Sequence, residues 1–319
     1  MGYQNYAVAR NLNLKIADCE LVALIGRNGI GKSTLLRTIA RLQPALSGKI
    51  EIAGKPLKHY SRSRMADIMS IVVTDPVNVA HLTVRQLVSL GCFPHSNWLG
   101  KLSKKNIDLI EDAMNMTGVS KLANKNLHEI SDGERQRAMI ARALAQDTEL
   151  ILLDEPTAFL DMPNRFEIVN LLKRLTRTRE KTILFSTHDL NIAMQEADKL
   201  WLIEAGAIQE GAPEDMALNG QFSEMFEGTK LKFNDNTGQF SVERNNIRQI
   251  KMFGEGKNFF WTKKALERLD FSVEKIETEN QADITVNAEN NVISWTLKTY
   301  EKKLQFTSIY DLAGSVKLP

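Results

Sequence analysis

The sequence predicts an α/β fold built on a parallel β-sheet, followed by a small α+β domain. Three continuous apolar runs, at residues 21–25, 150–153 and 182–185, predict strands covered on both faces. The first run leads into a glycine-rich phosphate-binding pattern and the second ends in two acids, an arrangement typical of nucleotide-binding α/β proteins. Apolar residues at three- and four-residue spacing predict helices over residues 85–90, 105–116, 132–146 and 164–177.

The phosphate-binding pattern G-x-x-x-x-G-K-[ST] is matched by residues 26–33, between a predicted strand and a predicted helix. Glycines allow the backbone to curl so that successive N–H groups point at phosphate oxygens. The Lys32 amine then reaches the β- and γ-phosphates, and the Ser33 hydroxyl is a ligand for Mg²⁺. The predicted nucleotide-binding residues of this loop are Gly26, Asn28, Gly29, Gly31, Lys32, Ser33 and Thr34.

Two acids, Asp154 and Glu155, follow the apolar run at residues 150–153. In phosphate-loop enzymes the first acid of such a pair holds Mg²⁺, usually through water. The second acid is placed to accept a proton from the water that attacks the γ-phosphate. We therefore predict Asp154 as a metal ligand and Glu155 as a catalytic residue.

Composition and charge exclude several classes of protein. The chain is 43% apolar and 25% charged, as is usual for globular proteins. A net charge of +2 gives no indication of a nucleic-acid partner, and no apolar run is long enough to span a membrane. No secretory signal is expected at the start of the sequence. Cys19 and Cys92 are expected to be small buried hydrophobes in a reducing compartment rather than reactive thiols.

Residues 130–137, with the sequence ISDGERQR, resemble the signature sequence of ATP-binding cassette (ABC) ATPases. Asp132 replaces the first glycine of the family's pair, and Glu134 replaces its glutamine. The resemblance implies that Ser131 and Gly133 bind the γ-phosphate of ATP held by a second copy of the chain. Asp132 adds a negative charge there, which is compatible with ATP only if the carboxylate points away from the phosphate.

The same resemblance extends to three further positions. It implies that Asp161, in the loop after the two acids, lies at the dimer interface, and that His188 hydrogen-bonds the γ-phosphate as a catalytic residue. It also places Tyr3 on the adenine ring, with Tyr6 nearby as an alternative. Where the family has a glutamine that touches Mg²⁺ and contacts the membrane partner, this chain has Asp75, or alternatively Thr74.

The resemblance implies a cassette over residues 1–228, with a RecA-like core, an antiparallel β subdomain and a helical subdomain at about 82–146. Residues 229–319 are expected to form an accessory α+β domain with a first hairpin, one helix near residues 258–270 and several strands. A regulatory role, a second dimer contact and a ligand sensor all stay open for this domain. Helical spacing favours a core position for four of its side chains over an exposed binding surface at residues 259–261: Phe260, Ala265, Leu266 and Leu269.

Residues 82–95 look like a segment of the ABC ATPases that energise uptake of iron–siderophore complexes, haem and cobalamin, with Cys92 in place of the usual arginine. This implies an ATPase at the cytoplasmic face of the inner membrane, bound to a permease dimer and served indirectly by a substrate-binding protein. The main alternative is a soluble ABC ATPase with a non-membrane partner, for example in iron–sulfur cluster assembly. A non-catalytic regulatory cassette is a third option, favoured by Asp75, Asp132 and Glu134 and opposed by the intact catalytic residues.

Overall fold

The computed structural model describes residues 1–3, 6–73, 81–95, 102–204, 206–234, 237–244, 248–289, 292–299 and 302–317. The chain divides into two compact units, Met1–Met225 and Phe226–Pro319. In the part of the chain that the structure describes, no helix is long and apolar enough to cross a membrane.

The first unit alternates strands and helices along the chain. Its strands are β1 (Gly2–Tyr3), β2 (Tyr6–Ala7), β3 (Leu21–Ile25), β4 (Glu51–Ile52), β5 (Lys55–Pro56), β6 (Met69–Val72), β7 (Leu150–Leu153), β8 (Thr182–Thr187), β9 (Lys199–Glu204) and β10 (Ala207–Gly211). Its helices are α1 (Lys32–Ile39), α2 (Arg62–Ile68), α3 (Val84–Ser89), α4 (Lys104–Thr117), α5 (Asp132–Ala145), α6 (Met162–Thr178), α7 (Leu190–Glu196), α8 (Pro213–Leu218) and α9 (Gln221–Met225). The predicted strands and helices of this unit are confirmed.

A six-stranded sheet in the order β10–β9–β3–β8–β7–β6 forms the centre of this unit. All neighbouring pairs run parallel except β9 and β10, which form an antiparallel hairpin. Ile25 at the end of β3 lies beside Thr187 of β8, and Leu153 at the end of β7 lies beside Phe185. The parallel register therefore brings the loops after β3, β7 and β8 to one edge of the sheet. Two small antiparallel ladders, β1–β2 and β4–β5, complete the strand pairing.

The helices α3, α4 and α5 pack together, and all three lie within the stretch at about residues 82–146 that was predicted to be helical. The short 3₁₀ turn Leu90–His95 lies against α5, where a Cβ on Gly91 would approach the carbonyl oxygen of Arg142 to 2.0 Å. Cys92 is fully buried, and burial raises the pKa of its thiol, as expected of a small core residue. Cys19 is half-buried.

The second unit is an α+β fold with its own core. Its strands and helices are β11 (Leu231–Asn234), β12 (Gln239–Val242), β13 (Arg248–Phe253), α10 (Gly256–Glu267), β14 (Phe271–Lys275), β15 (Ile284–Glu289), β16 (Val292–Lys298), β17 (Lys303–Phe306) and α11 (Ile309–Lys317). β11 and β12 form the expected hairpin, and the other strands form a mixed sheet in the order β14–β13–β15–β16–β17. The core gathers residues from this sheet and from both helices, including Met252, Leu266, Trp295 and Leu312.

Two expectations for this unit were wrong. A second helix, α11, was not predicted, although the sequence predicted a single helix in this region. Phe260 is not a core residue, because its side chain is 49% exposed. Its neighbour Phe259 packs against the core instead, so the buried face of α10 is rotated by one residue from the predicted face. Ala265 and Leu266 are buried and Leu269 is partly buried, as expected.

Candidate active site

The phosphate-binding loop runs from the end of β3 to the start of α1. Gly29 and Gly31 have φ angles of 76° and 112°, a region that glycine adopts without strain. A side chain at Gly31 would also collide with Val8, whose Cγ1 lies 2.1 Å from the position of an added Cβ. The loop therefore needs glycine for its backbone geometry. Asn28 and Gly29 are exposed, and Gly26 is buried.

Lys32, the first residue of α1, turns its amine back into this loop. Its Nζ atom donates to the carbonyl oxygens of Gly26 at 2.9 Å and Arg27 at 3.4 Å. It also lies 3.3 Å from Oε1 of Glu155, although only 4% of the Lys32 side chain is exposed. A positive charge is thereby fixed between the loop and the predicted general base.

Asp154 and Glu155 stand at the end of β7, two strands away from β3. The N–H of Asp154 donates to the Val72 carbonyl oxygen of β6 at 2.8 Å, which extends the parallel ladder to the first acid. Asp154 is buried, with 5% of its surface exposed. Glu155 has a φ angle of 47°, which is uncommon for a residue with a side chain. Strained backbone of this kind concentrates at functional sites.

His188 follows β8 and faces the same carboxylate. Its Nδ1 atom lies 3.9 Å from Oε2 of Glu155, so this carboxylate stands between an amine and an imidazole. The turn is held by Asp189, whose N–H donates to Thr187 Oγ1 at 3.0 Å and whose side chain caps α7. The structure therefore brings together Lys32, Asp154, Glu155 and His188 at one edge of the sheet, as the motifs predicted.

The oxygen donors near this cluster suit a hard cation. Ser33 is half-buried in the first turn of α1, and Thr34 beside it is buried. A hydroxyl and a carboxylate are ligands that Mg²⁺ accepts when phosphate oxygens and water complete its shell. In the described ranges, no three His, Cys, Asp or Glu side chains gather as a metal cage. The donor set thus fits a magnesium ion carried in with a nucleotide.

The signature segment forms the N-terminus of α5. Ser131 is the N-cap, and its hydroxyl accepts from the N–H of Glu134 at 3.3 Å. The Glu134 carboxylate accepts from the Ser131 N–H at 2.8 Å and from its hydroxyl at 3.0 Å. These bonds, first of all the backbone one, hold the pKa of Glu134 below its ordinary value. Asp132 is paired with Arg135 along the helix, at 3.2 Å.

Gly133 and Asp161 belong to a second cluster centred on Asn164. A Cβ on Gly133 would lie 2.9 Å from the Asn164 side-chain oxygen, so α5 and α6 approach closely only with glycine there. The Asn164 side-chain amide donates to Asp161 Oδ1 at 2.7 Å, and Asp161 caps α6. The N-termini of α5 and α6 therefore lie side by side, with Ser131 and Asp161 as their exposed caps and Gly133 buried between the helices.

Four of the side chains named in the predictions lie outside the part that the structure describes. Thr74 and Asp75 belong to residues 74–80, which the description leaves out. The backbone of Tyr3 is in β1, but its side chain and that of Tyr6 also lie outside the description. Their predicted contacts with adenine, Mg²⁺ and a membrane partner stay predictions.

Comparisons with known proteins identify the family. Residues 9–158 match the family model for the ABC transporter, and residues 247–317 match that for the iron ABC transporter C-terminal domain. An ABC transporter ATP-binding protein of Methanocaldococcus jannaschii is 35% identical over 254 residues, covering 79% of this chain and 88% of the relative. The chain belongs to the ATP-binding proteins of ABC transporters.

Other relatives of this ABC protein carry names that refer to siderophores. The achromobactin transport ATP-binding protein of Dickeya dadantii is 39% identical over 217 residues, covering 68% of this chain and 81% of the relative. The ferric enterobactin transport ATP-binding protein of Escherichia coli is 37% identical over 217 residues, covering 68% and 80%.

Solved structures confirm the cassette fold. The CbiO1 protein of Clostridium perfringens, part of an ABC transporter complex, superposes with a TM-score of 0.60 at 30% identity, covering 68% of this chain and 86% of that one. A dimeric cassette in a post-hydrolysis state with ADP and phosphate superposes with a TM-score of 0.57 at 28% identity, covering 67% and 94%. The ABC protein described here is accordingly an ATPase that binds ATP.

One residue of this ABC site, Ser186, has no role that its sequence pattern predicts. Ser186 precedes His188 by two positions and bonds to both acids after β7. A single serine near a strand end carries no spacing signal, so only the register of β7 and β8 reveals it.

Proposed function

We propose that this protein is the ATP-hydrolysing subunit of an ABC importer that takes up a metal chelate of the iron–siderophore, haem or cobalamin type. The observation that carries the proposal is that the Lys32 amine and the His188 imidazole both face the carboxylate of Glu155. The named siderophore-transport relatives and the match of the second unit to an iron-transporter domain support the class of cargo.

In the proposed reaction, the loop N–H groups and Lys32 bind the β- and γ-phosphates of ATP. Glu155 accepts the proton of the attacking water, and His188 hydrogen-bonds the γ-phosphate and orients that water. Ser33 and Asp154 would hold Mg²⁺, which when bound neutralises charge on the phosphate oxygens. Lys32 and His188, which face the two oxygens of the Glu155 carboxylate, would hold this carboxylate in position to accept the proton of the attacking water.

The proposed working unit is a pair of cassettes with two-fold symmetry. Each site would take its phosphate loop from one chain and Ser131, Gly133 and Asp161 from the other, as isologous pairing requires. The approach of Gly133 and Asp161 to Asn164 supports the assignment, because it brings the N-terminus of α5, which Ser131 caps, beside the N-terminus of α6. ATP would close the pair, and hydrolysis would let it reopen.

The proposed permease contact is a cavity of about 290 Å³ between α2, the start of β6, the Leu90–His95 turn and α5. Leu90, which lines the cavity, and Phe93 in the same turn are 50% and 70% exposed, which is unusual for large apolar side chains. Half-buried Arg142 supports the wall, since its Nη2 donates to the Ile71 carbonyl oxygen at 3.3 Å. A permease helix that covered these side chains would place this protein at the cytoplasmic face of the membrane, with a substrate-binding protein acting indirectly through the permease.

Two alternatives are less well supported. A soluble ABC ATPase with a non-membrane partner is not favoured by the names of the relatives, which refer to transport of siderophores. A non-catalytic cassette is opposed by the preserved contacts of Lys32 with Glu155 and of His188 with Glu155.

Purification of the tagged protein from detergent-solubilised membranes tests this proposal. Mass spectrometry is expected to find a polytopic permease in near-equal amount. Leu90→Asp is expected to lose the permease and keep ATP hydrolysis, whereas Leu218→Asp, at a position 85% exposed elsewhere, keeps both. Recovery of soluble partners alone would contradict the importer and favour the non-membrane alternative.

A further inference from the structure

Ser186 connects the two acids through a single hydroxyl group. Its Oγ atom donates to Asp154 Oδ1 at 2.8 Å and accepts the backbone N–H of Glu155 at 2.8 Å. Ser186 is fully buried, so water does not compete for these bonds. One side chain of β8 thus touches the carboxylate of the first acid and the backbone of the second.

The register of the sheet explains how one residue reaches both. Leu153 of β7 lies beside Phe185 of β8, so the next residue of β8 stands level with the acids that follow β7. Side chains alternate between the faces of a strand, which puts Ser186 on the face opposite to Phe185. The hydrogen bonds of Ser186 to Asp154 and Glu155 therefore follow from the pairing of β7 and β8 alone.

The backbone of Glu155 has an unfavourable conformation that its surroundings must stabilise. A φ angle of 47° is sparsely populated for a residue with a side chain and persists only where the surroundings fix it. The Glu155 N–H is held by Ser186, and its carbonyl oxygen accepts the Ala158 N–H at 3.0 Å. The N–H and the carbonyl oxygen of Glu155 are therefore both hydrogen-bonded. The Ser186 hydroxyl, which accepts from that N–H, also donates to Asp154.

We propose that Ser186 is a positioning residue for ATP hydrolysis, which fixes the orientation of the Asp154 carboxylate and the backbone of Glu155 together. The inference rests on the proposed roles of these acids as Mg²⁺ ligand and general base. The hydroxyl takes no part in proton transfer. It couples the two acids, so that a shift of one is transmitted to the other.

A pair of substitutions isolates the hydroxyl. Ser186→Thr keeps it, and Ser186→Val has the shape of threonine without it. We expect Ser186→Val to lower kcat by about 10- to 100-fold, the usual effect of losing a partner of a metal-site ligand. The KM for ATP is expected to change less, because Lys32 and the loop N–H groups are untouched. The Mg²⁺ concentration for half-maximal activity is expected to rise, and Ser186→Thr to stay within a few-fold of wild type.

Thr148→Val is the matched control. Thr148 is buried and precedes β7 at the end opposite to Asp154, where its hydroxyl donates to Ser70 Oγ at 3.1 Å. This variant also loses one buried hydroxyl, yet kcat and the Mg²⁺ requirement are expected to match wild type. Melting temperatures of all variants show whether a loss of activity follows a loss of folded protein.

Equal kcat and equal Mg²⁺ requirement for Ser186→Thr and Ser186→Val would overturn the proposal, as would an equal loss in Thr148→Val. Glu155→Gln in the same assay separates this failure from a failure of the proposed function. If Glu155→Gln is inactive while Ser186→Val is fully active, only the role of Ser186 is wrong. If Glu155→Gln hydrolyses ATP at the wild-type rate, the assignment of the general base is wrong as well.

Discussion

The amine of Lys32 lies 3.3 Å from Oε1 of Glu155, so the phosphate loop and the strand end that carries the proposed base share one ion pair. Only 4% of the Lys32 side chain is exposed, so its charge is poorly screened by water at this point. Lysine therefore has two partners in the proposed cycle, the carboxylate and the nucleotide.

Replacing Lys32 with alanine is expected to abolish productive ATP binding. Charge-assisted hydrogen bonds contribute about 1.5–3 kcal/mol each, so affinity falls by about 10- to 100-fold or more. Titration with a fluorescent ATP analogue measures this. Lys49→Ala is the control, because Lys49 is 79% exposed and forms a salt bridge with exposed Glu51. Wild-type affinity in Lys32→Ala would contradict the assignment of the loop.

The variant Glu155→Gln is expected to bind ATP and to stay in the closed dimer. Loss of a general base lowers the rate by about 10²- to 10⁴-fold, while the amide keeps the shape of the side chain. Light scattering with and without ATP measures the dimer, and phosphate release measures hydrolysis. Glu196→Gln, which removes the charge from an ion pair with Lys173, is expected to behave as wild type. A monomeric Glu155→Gln at saturating ATP would speak against the cassette pair.

Gly91→Ala is expected to destabilise the first unit. Its Cβ would lie 2.0 Å from the Arg142 carbonyl oxygen and 3.2 Å from the Ala145 Cβ, so α5 must move. Overpacking of this kind costs about 1–3 kcal/mol. Urea unfolding measures the loss. Gly314→Ala, at an open position of α11, is expected to stabilise the second unit by about 0.5–1 kcal/mol. An unchanged midpoint in Gly91→Ala would show that the close approach is not required.

The capping box at Ser131 is expected to weaken in acid. The pKa of Glu134 is lower in the folded chain than its ordinary 4.5, because the Ser131 N–H and hydroxyl donate to the carboxylate. A depressed carboxyl pKa stabilises the fold above the unfolded pKa, and this stabilisation is lost as pH falls through the folded pKa. Glu134→Gln keeps the bonds without titrating. The melting temperature of wild type should therefore fall relative to Glu134→Gln below about pH 4.5.

A second acid in the same region, Glu129, also has a lowered pKa, because the backbone N–H of Asn126 donates to its carboxylate. Glu129 is present in both proteins, so its contribution cancels in the comparison. A constant difference in melting temperature between pH 7 and acid would contradict the role of the Glu134 carboxylate.

The exposure of Phe260 gives a test in the second unit. Phe260→Ser is expected to leave the melting temperature nearly unchanged, because the ring is 49% exposed and its ring contacts are to Trp261 and the Lys264 amine. Leu266→Ala is expected to cost about 2–5 kcal/mol, because Leu266 is buried in the core beneath the same helix. A large fall in the melting temperature of Phe260→Ser would instead support the core position that helical spacing predicted for Phe260.

Much of the candidate site could be predicted because its residues follow apolar strands. Parallel strands end at one edge of a sheet, so Lys32, Glu155 and His188 had to come close once the strands were identified. Ser186 was missed because its role depends on the register between β7 and β8, which sequence spacing does not contain.

The second unit was harder to predict for different reasons. Helix α11 is only nine residues long and contains Gly314, so its periodic signal is short. Its N-terminus is marked by Ser308, whose hydroxyl accepts the Asp311 N–H at 3.1 Å, and this capping pattern was the available clue. In α10, three consecutive aromatic residues leave the buried face ambiguous, and packing selected Phe259 rather than Phe260.

Uptake by cells tests the central claim most directly. Radiolabelled ferric siderophore, haem and cobalamin would be supplied to cells whose own copy is replaced by wild type, Lys32→Ala, Glu155→Gln or the Lys49→Ala control. The account predicts that at least one chelate accumulates in wild-type and Lys49→Ala cells and fails to accumulate in the other two. Undiminished uptake of all three chelates in Lys32→Ala and Glu155→Gln cells would contradict it.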